Sequence, residues 1–97
     1  MRTRYLLCYD VRDDARLRKT IKVAESFGYR LQYSVFLCDL SAIQRTRLEQ
    51  RLREVLLVGT DRAMIVDLGP PGAASRRRFH WISDPVELYD PGKAVIV

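Results

Sequence analysis

Residues 4–11, RYLLCYDV, carry aromatic and aliphatic side chains on both alternating faces of an extended segment. A strand of this kind needs cover above and below. A chain of 97 residues has little material to provide it. Length alone allows one domain, residues 1–97, that buries roughly 65% of its unfolded surface. The segment ends in a carboxylate, Asp10, which is costly to place at the end of a buried strand unless something binds it.

Asp13 is placed to cap a helix over residues 14–27, with Leu17, Ile21 and Ala24 spaced i, i+4, i+7 on one face. Gly28 stands at the C′ position expected to end it. Residues 29–40, YRLQYSVFLCDL, read from periodicity as one long strand, again apolar on both faces. Ser41 and Gln44 form a capping-box pair ahead of a second helix over residues 42–58, whose Leu48, Leu52, Val55 and Leu56 share a face before Gly59 closes it. Residues 62–68, RAMIVDL, make a third strand, and GPPGAAS at 69–75 breaks the chain into a loop. Beyond the loop come Arg76, Arg77 and Arg78, a short strand over 79–82, a polar stretch with Pro85 and Pro91, and a last strand, KAVIV, at 93–97. That apolar strand needs a sheet edge, its own or a partner's. Two helices with four or five strands give an α+β sandwich with both helices on one face of a sheet. A second copy in a two-fold dimer is the economical cover for the other face.

Composition removes several classes of function. No apolar run approaches the roughly 18 residues of a membrane-spanning helix, and residues 1–9 lack the apolar core and cleavage site of a signal peptide. The expected location is therefore cytoplasmic. Cys8 and Cys38 sit inside apolar runs rather than in a paired-cysteine motif, and read as reduced core thiols. Seventeen Lys and Arg against 12 Asp and Glu leave a net charge of +5, and 14 of the 17 are Arg. Such a surface suits a polyanion, and guanidinium groups suit bidentate phosphate contact.

The stretch from Tyr9 to Cys38 carries a pattern: YDV, then RLRK after the acidic cap, then Gly28, Arg30 and QYSVFLC. This resembles the small CRISPR-associated family of the spacer-acquisition step, second in that series and often described as endoribonucleases. The likeness runs in order and spacing through roughly the first 70 residues. It implies a ferredoxin-like βαββαβ sandwich with an extra C-terminal strand, and a homodimer with sheets face to face. It implies that residues 29–40 are two strands with a tight turn near Gln32 to Ser34. It further implies that residues 76–97 contact the partner subunit, and that the chain works with the CRISPR integrase in inserting foreign DNA. Two departures stand out: Leu37 where an acidic residue is frequent, and FHWISDP at 79–85 where a valine/isoleucine-glycine strand end is usual.

The same resemblance makes Asp10 the catalytic residue and the holder of a divalent metal, magnesium with manganese as the alternative. From the residues alone, Asp10 serves equally to cap the turn into the helix. One carboxylate is a poor magnesium site, so a symmetry mate near the dimer axis has to supply the second. Bound metal would activate water and polarise the scissile phosphate. Arg16, Arg18, Lys19 and Lys22 are candidate phosphate contacts, with a solvated helix face as the alternative. Arg76, Arg77 and Arg78 next to Phe79, His80 and Trp81 combine cations with aromatics, as single-strand binders do; Trp81 serves equally as a dimer anchor. Tyr9, Ser34 and Phe36 are near-site candidates, Ser34 also fitting a turn and Phe36 the core. Nothing in the spacing ties His80 to Asp10, and capping explains Asp13, Asp14, Asp39 and Asp67. The expected function is a metal-dependent endoribonuclease or endonuclease acting on single-stranded RNA or double-stranded DNA. The alternatives are a non-catalytic DNA-binding scaffold of the integrase complex and a toxin-like ribonuclease of the same fold.

Overall fold

Eight residues of the first apolar run form β1, Thr3–Asp10, and the rest of the chain is arranged around this strand. In the computed structural model, which describes residues 1–88, β1 pairs antiparallel with two later strands. These are β3, Val35–Leu40, on one side and β4, Arg62–Asp67, on the other. β2, Tyr29–Gln32, adds outside β3, giving the order β2-β3-β1-β4. With α1, Asp14–Glu25, after β1 and α2, Ala42–Val55, after β3, the succession is the ferredoxin-like βαββαβ. Tyr5, Leu7 and Tyr9 of β1 and Phe36, Cys38 and Leu40 of β3 meet Val23 and Ala24 of α1 and Leu48 and Leu52 of α2. Both helices therefore bury their apolar stripes on one face of the sheet.

The helix starts follow the sequence closely. The Asp13 carboxylate accepts the Arg16 N–H at 2.9 Å, and Ser41 and Gln44 exchange side-chain and backbone hydrogen bonds as a reciprocal box. The ends differ. α1 stops at Glu25 with Ser26 as its cap, and Gly28 does not adopt a positive φ. Its requirement is space: a Cβ there would overlap the Leu37 carbonyl and the Cys38 Sγ, because the α1–β2 connection lies directly on β3. α2 stops at Val55 rather than at 58, and the following turn ends with Asp61 accepting the Leu57 N–H at 2.9 Å.

Residues 29–40 are two strands, as the family resemblance implied, with Tyr33 and Ser34 at the turn. A two-residue hairpin loop usually needs positive φ. Here neither Tyr33 nor Ser34 has one, and an irregularity in register between Arg30 and Gln32 absorbs the difference. This explains why no glycine marks the turn.

The far face of the sheet is covered in part by the chain itself. Phe79, Trp81, Val86 and Leu88 pack over Leu6, Leu31, Val35 and Leu37. Full burial of residues such as Leu37 and Leu88 contributes about 1.5–3 kcal/mol each. The strand expected at 79–82 does not form; the chain instead crosses the sheet face with the Phe79 and Trp81 rings stacked 5.9 Å apart. Part of the cover assigned in the sequence reading to a second copy is thus intramolecular. Leu37 is apolar because Leu31 and Leu88 enclose it. On β4 the same face stays open, with Met64 and Val66 exposed. The strand expected at 93–97 lies outside the described residues.

Arg4 is wholly buried on this face. Its Nε and Nη2 reach the Asp39 carboxylate at 2.9 and 3.1 Å, and Nη1 lies 3.4 Å from the Ser75 Oγ. Ser75 belongs to α3, Ala73–Arg76, a single turn within the stretch expected to be loop. Arg4 therefore ties β3 through Asp39 and, through Ser75, holds the segment after β4 to the sheet.

Candidate functional site

Asp10 is the last residue of β1 and stands opposite Arg62, the first of β4. Its side chain is 67% exposed, so the strand delivers the carboxylate to solvent and no burial cost needs offsetting. The Arg12 Nε lies 3.8 Å away. Asp13, not Asp10, caps α1. Asp10 lines an open hollow of about 650 Å³ together with Cys8, Tyr9, Asp61, Arg62 and Met64.

Three expected neighbours gather at this end of the sheet. Tyr9 alternates to the helix side, where its hydroxyl donates to the Tyr33 carbonyl at 3.3 Å and its backbone N–H donates to the Ser34 carbonyl at 3.2 Å. Ser34 thus contributes through its backbone. Phe36 sits in the core at 1% exposure, its ring centroid 6.2 Å from that of Tyr9. Burial raises the Tyr9 hydroxyl above the ordinary tyrosine value, against the opposing pull of the Arg30 guanidinium.

Arg16 reaches the same end through Asp61. Its Nε and Nη2 contact the two Asp61 oxygens at 2.7 and 3.2 Å, while the Asp61 side chain is 1% exposed. The Arg16 contact and the Leu57 N–H hold the Asp61 carboxyl below its usual range, and Asp61 in turn raises Arg16. Arg18, Lys19 and Lys22 are exposed on α1. Arg76, Arg77 and Arg78 lie at the opposite end, next to the Ser75 that Arg4 anchors. Six residue steps along β1 lead from Arg4 to Asp10, about 20 Å at the rise of a strand. His80 lines a separate groove with Phe79, Trp81 and Asp84 over Leu6 and Leu31.

Two residues of this end received no role from the sequence, and one of them had only been part of a pattern. Asp61 was unremarked; its signal is a carboxylate immediately before an apolar strand. Arg30 belonged to the quoted pattern, and the structure places its guanidinium 5.5 Å from the Phe36 centroid and 5.8 Å from that of Tyr33. Tyr33 itself is 71% exposed. Among the described residues no group of three or more His, Cys, Asp or Glu is placed to hold a metal. Asp10 is an oxygen donor of the right kind for magnesium, but the described residues of one chain supply too few such donors. No helix among the described residues is long and apolar enough to cross a membrane.

The comparison with known proteins agrees with this arrangement. Residues 1–74 match the family described as CRISPR associated protein Cas2. A Geobacter sulfurreducens protein named CRISPR-associated endoribonuclease Cas2 is 38% identical over 66 residues, covering 68% of this chain and 70% of that protein. A Synechocystis protein named CRISPR-associated endoribonuclease Cas2 3 is 43% identical over 51 residues, covering 53% and 55%. The crystal structure of Streptococcus pyogenes Cas2 at pH 6.5 matches with a TM-score of 0.70 at 26% identity, over 82% of this chain and 99% of that one. The shared segment contains β1 with Asp10, both long helices and the β2–β3 hairpin, and the chain belongs to the Cas2 family of CRISPR-associated proteins.

Proposed function

We propose that this chain is a nuclease of CRISPR adaptation that hydrolyses phosphodiester bonds at Asp10 and partners the CRISPR integrase in inserting foreign DNA. The observation that carries the reading is the exposed Asp10 carboxylate at an open hollow, with Arg62 across the sheet and Arg12 at 3.8 Å. These arginines offer the charge that holds a phosphate beside the carboxylate. A homodimer with sheets face to face covers the apolar surface left open at Met64 and Val66 and sets a second Asp10 against the first. Two carboxylates then suffice for magnesium or manganese with water and phosphate oxygens, and the ion when bound supplies an activated water. Arg16 holds Asp61 and so positions the connection leading to Arg62; Arg18, Lys19 and Lys22 extend the cationic surface along α1. Tyr9, Ser34 and Phe36 set the strand end from behind.

A second reading is favoured by Arg76, Arg77 and Arg78. They lie beside the Ser75 that Arg4 contacts, at the other end of β1 from Asp10, and they suit a scaffold that tracks duplex DNA beneath the integrase. Residues 76–97 are then also the segment that meets the partner subunit. The test is a substrate panel for the wild-type dimer: labelled single-stranded RNA and duplex DNA, each with magnesium, manganese or chelator. Metal-dependent cutting supports the nuclease. Tight duplex binding with no cutting under any condition supports the scaffold.

A further inference from the structure

The β2–β3 turn presents a large aromatic ring to water for which the fold has no use. Tyr33 is 71% exposed, and neither turn residue needs a special conformation, since neither has a positive φ. The ring is nevertheless backed and held. The Arg30 guanidinium lies over it at 5.8 Å and over the Phe36 ring at 5.5 Å, so one cation bridges a core aromatic and an exposed one. The backbone beneath is fixed by Tyr9, whose hydroxyl donates to the Tyr33 carbonyl and whose N–H donates to the Ser34 carbonyl. Tyr9 immediately precedes Asp10. An exposed aromatic face, a guanidinium beside it and a rigid link to the strand end that carries Asp10 are the parts of a nucleobase platform.

We infer that Tyr33 stacks an unpaired nucleobase, with Arg30 supporting the ring, and so positions a strand at the end of the sheet that carries Asp10. The inference rests on the proposed action on nucleic acid and adds the residue that meets the base. In a duplex the faces of the bases are taken up by their neighbours, and a protein meets only groove edges and backbone. A single strand offers a free face at every nucleotide. Arg12 and Arg62 by themselves contact phosphate and do not distinguish the two.

The experiment is equilibrium binding in chelator, so that no cleavage intervenes, of a fluorescent single-stranded RNA and of a duplex of the same sequence. Wild type, Tyr33→Ala and Tyr33→Phe are compared, with dimer mass checked for each. Tyr33→Ala should weaken single-strand binding about 10-fold, within the range found when a stacking aromatic is removed, and leave duplex binding unchanged. Tyr33→Phe should restore the affinity, and the alanine effect should vanish on an abasic single strand. Equal losses on both nucleic acids, no loss on either, or a dimer that dissociates in Tyr33→Ala would each overturn the stacking role. The two readings fail separately. If Asp10-dependent cleavage persists while Tyr33→Ala binds as wild type, the platform is wrong and the nuclease stands. If the strand-selective loss is seen in a protein that never cleaves, the platform stands and the nuclease is wrong.

Discussion

Asp61 receives the Arg16 guanidinium at two points, 2.7 and 3.2 Å, in a position where its own side chain is 1% exposed. The contact joins the first turn of α1 to the connection that leads into Arg62, the residue facing Asp10. It ties the orientation of the candidate site to the charge on one buried carboxylate.

That charge gives the fold an acid-sensitive joint. Asp61 is held below the ordinary carboxylate value by Arg16 and the Leu57 N–H. Its contribution is present above the unfolded value, about 3.9, and is lost as pH falls through the depressed folded value. The denaturation midpoint of Asp61→Asn should therefore lie below wild type by a constant margin from neutral pH down to about 5, and the two should converge in stronger acid. A margin unchanged throughout that acid range would contradict the role.

The buried pair of Arg4 and Asp39 predicts a different asymmetry. Asp39→Ala removes the carboxylate that meets two nitrogens of a wholly buried guanidinium, which should cost about 3–5 kcal/mol in urea unfolding. Replacing both members, Arg4→Met with Asp39→Leu, should cost much less, because neither charge of the pair then remains to be compensated. A double variant as unstable as the single would show that the pair does more than neutralise itself.

Gly28 should tolerate less than Gly59. At Gly28 the smallest addition, Gly28→Ala, drives a Cβ into the Leu37 carbonyl and Cys38 Sγ, and overpacking of this kind costs about 1–3 kcal/mol. Gly59 has φ of +88° with open space around it, so Gly59→Asn should cost under about 1 kcal/mol. Thermal unfolding of the two variants decides the order, and a milder Gly28→Ala would remove the close-contact explanation.

The two cysteines should react in sequence. Burial pushes the Cys38 thiol up to about 12, helped by the neighbouring Asp39, while Cys8 is partly exposed and less strongly raised. Alkylation at pH 8 followed by mass spectrometry should label Cys8 in the native protein and Cys38 only after unfolding. Native labelling of Cys38 would contradict its burial.

What the sequence disclosed depended on how local each determinant is. The Ser41–Gln44 box and the Asp13 cap act over three residues and could be read directly. Gly28 was found at the right place for another reason, since its neighbours Leu37 and Cys38 come from a strand not yet paired with it in the sequence. The turn at Tyr33 and Ser34 carries no glycine because an irregular register replaces the positive φ; only the family pattern disclosed it. Residues 79–88 have no period because they follow the outline of the sheet's far face, so neither their route nor the intramolecular cover they give Leu37 was legible. At the candidate site, Asp10 stood out by chemistry. Asp61 did not, because its meaning lies in an arginine 45 residues earlier.

Kinetics of Asp10→Asn beside wild type test the proposed hydrolysis of phosphodiester bonds at Asp10. Both proteins, confirmed as folded dimers of equal stability, are given labelled single-stranded RNA in magnesium. Wild type should cleave in a metal-dependent way and Asp10→Asn should lose at least about 100-fold in rate, with binding in chelator retained. Cleavage by Asp10→Asn at the wild-type rate would place the chemistry away from Asp10.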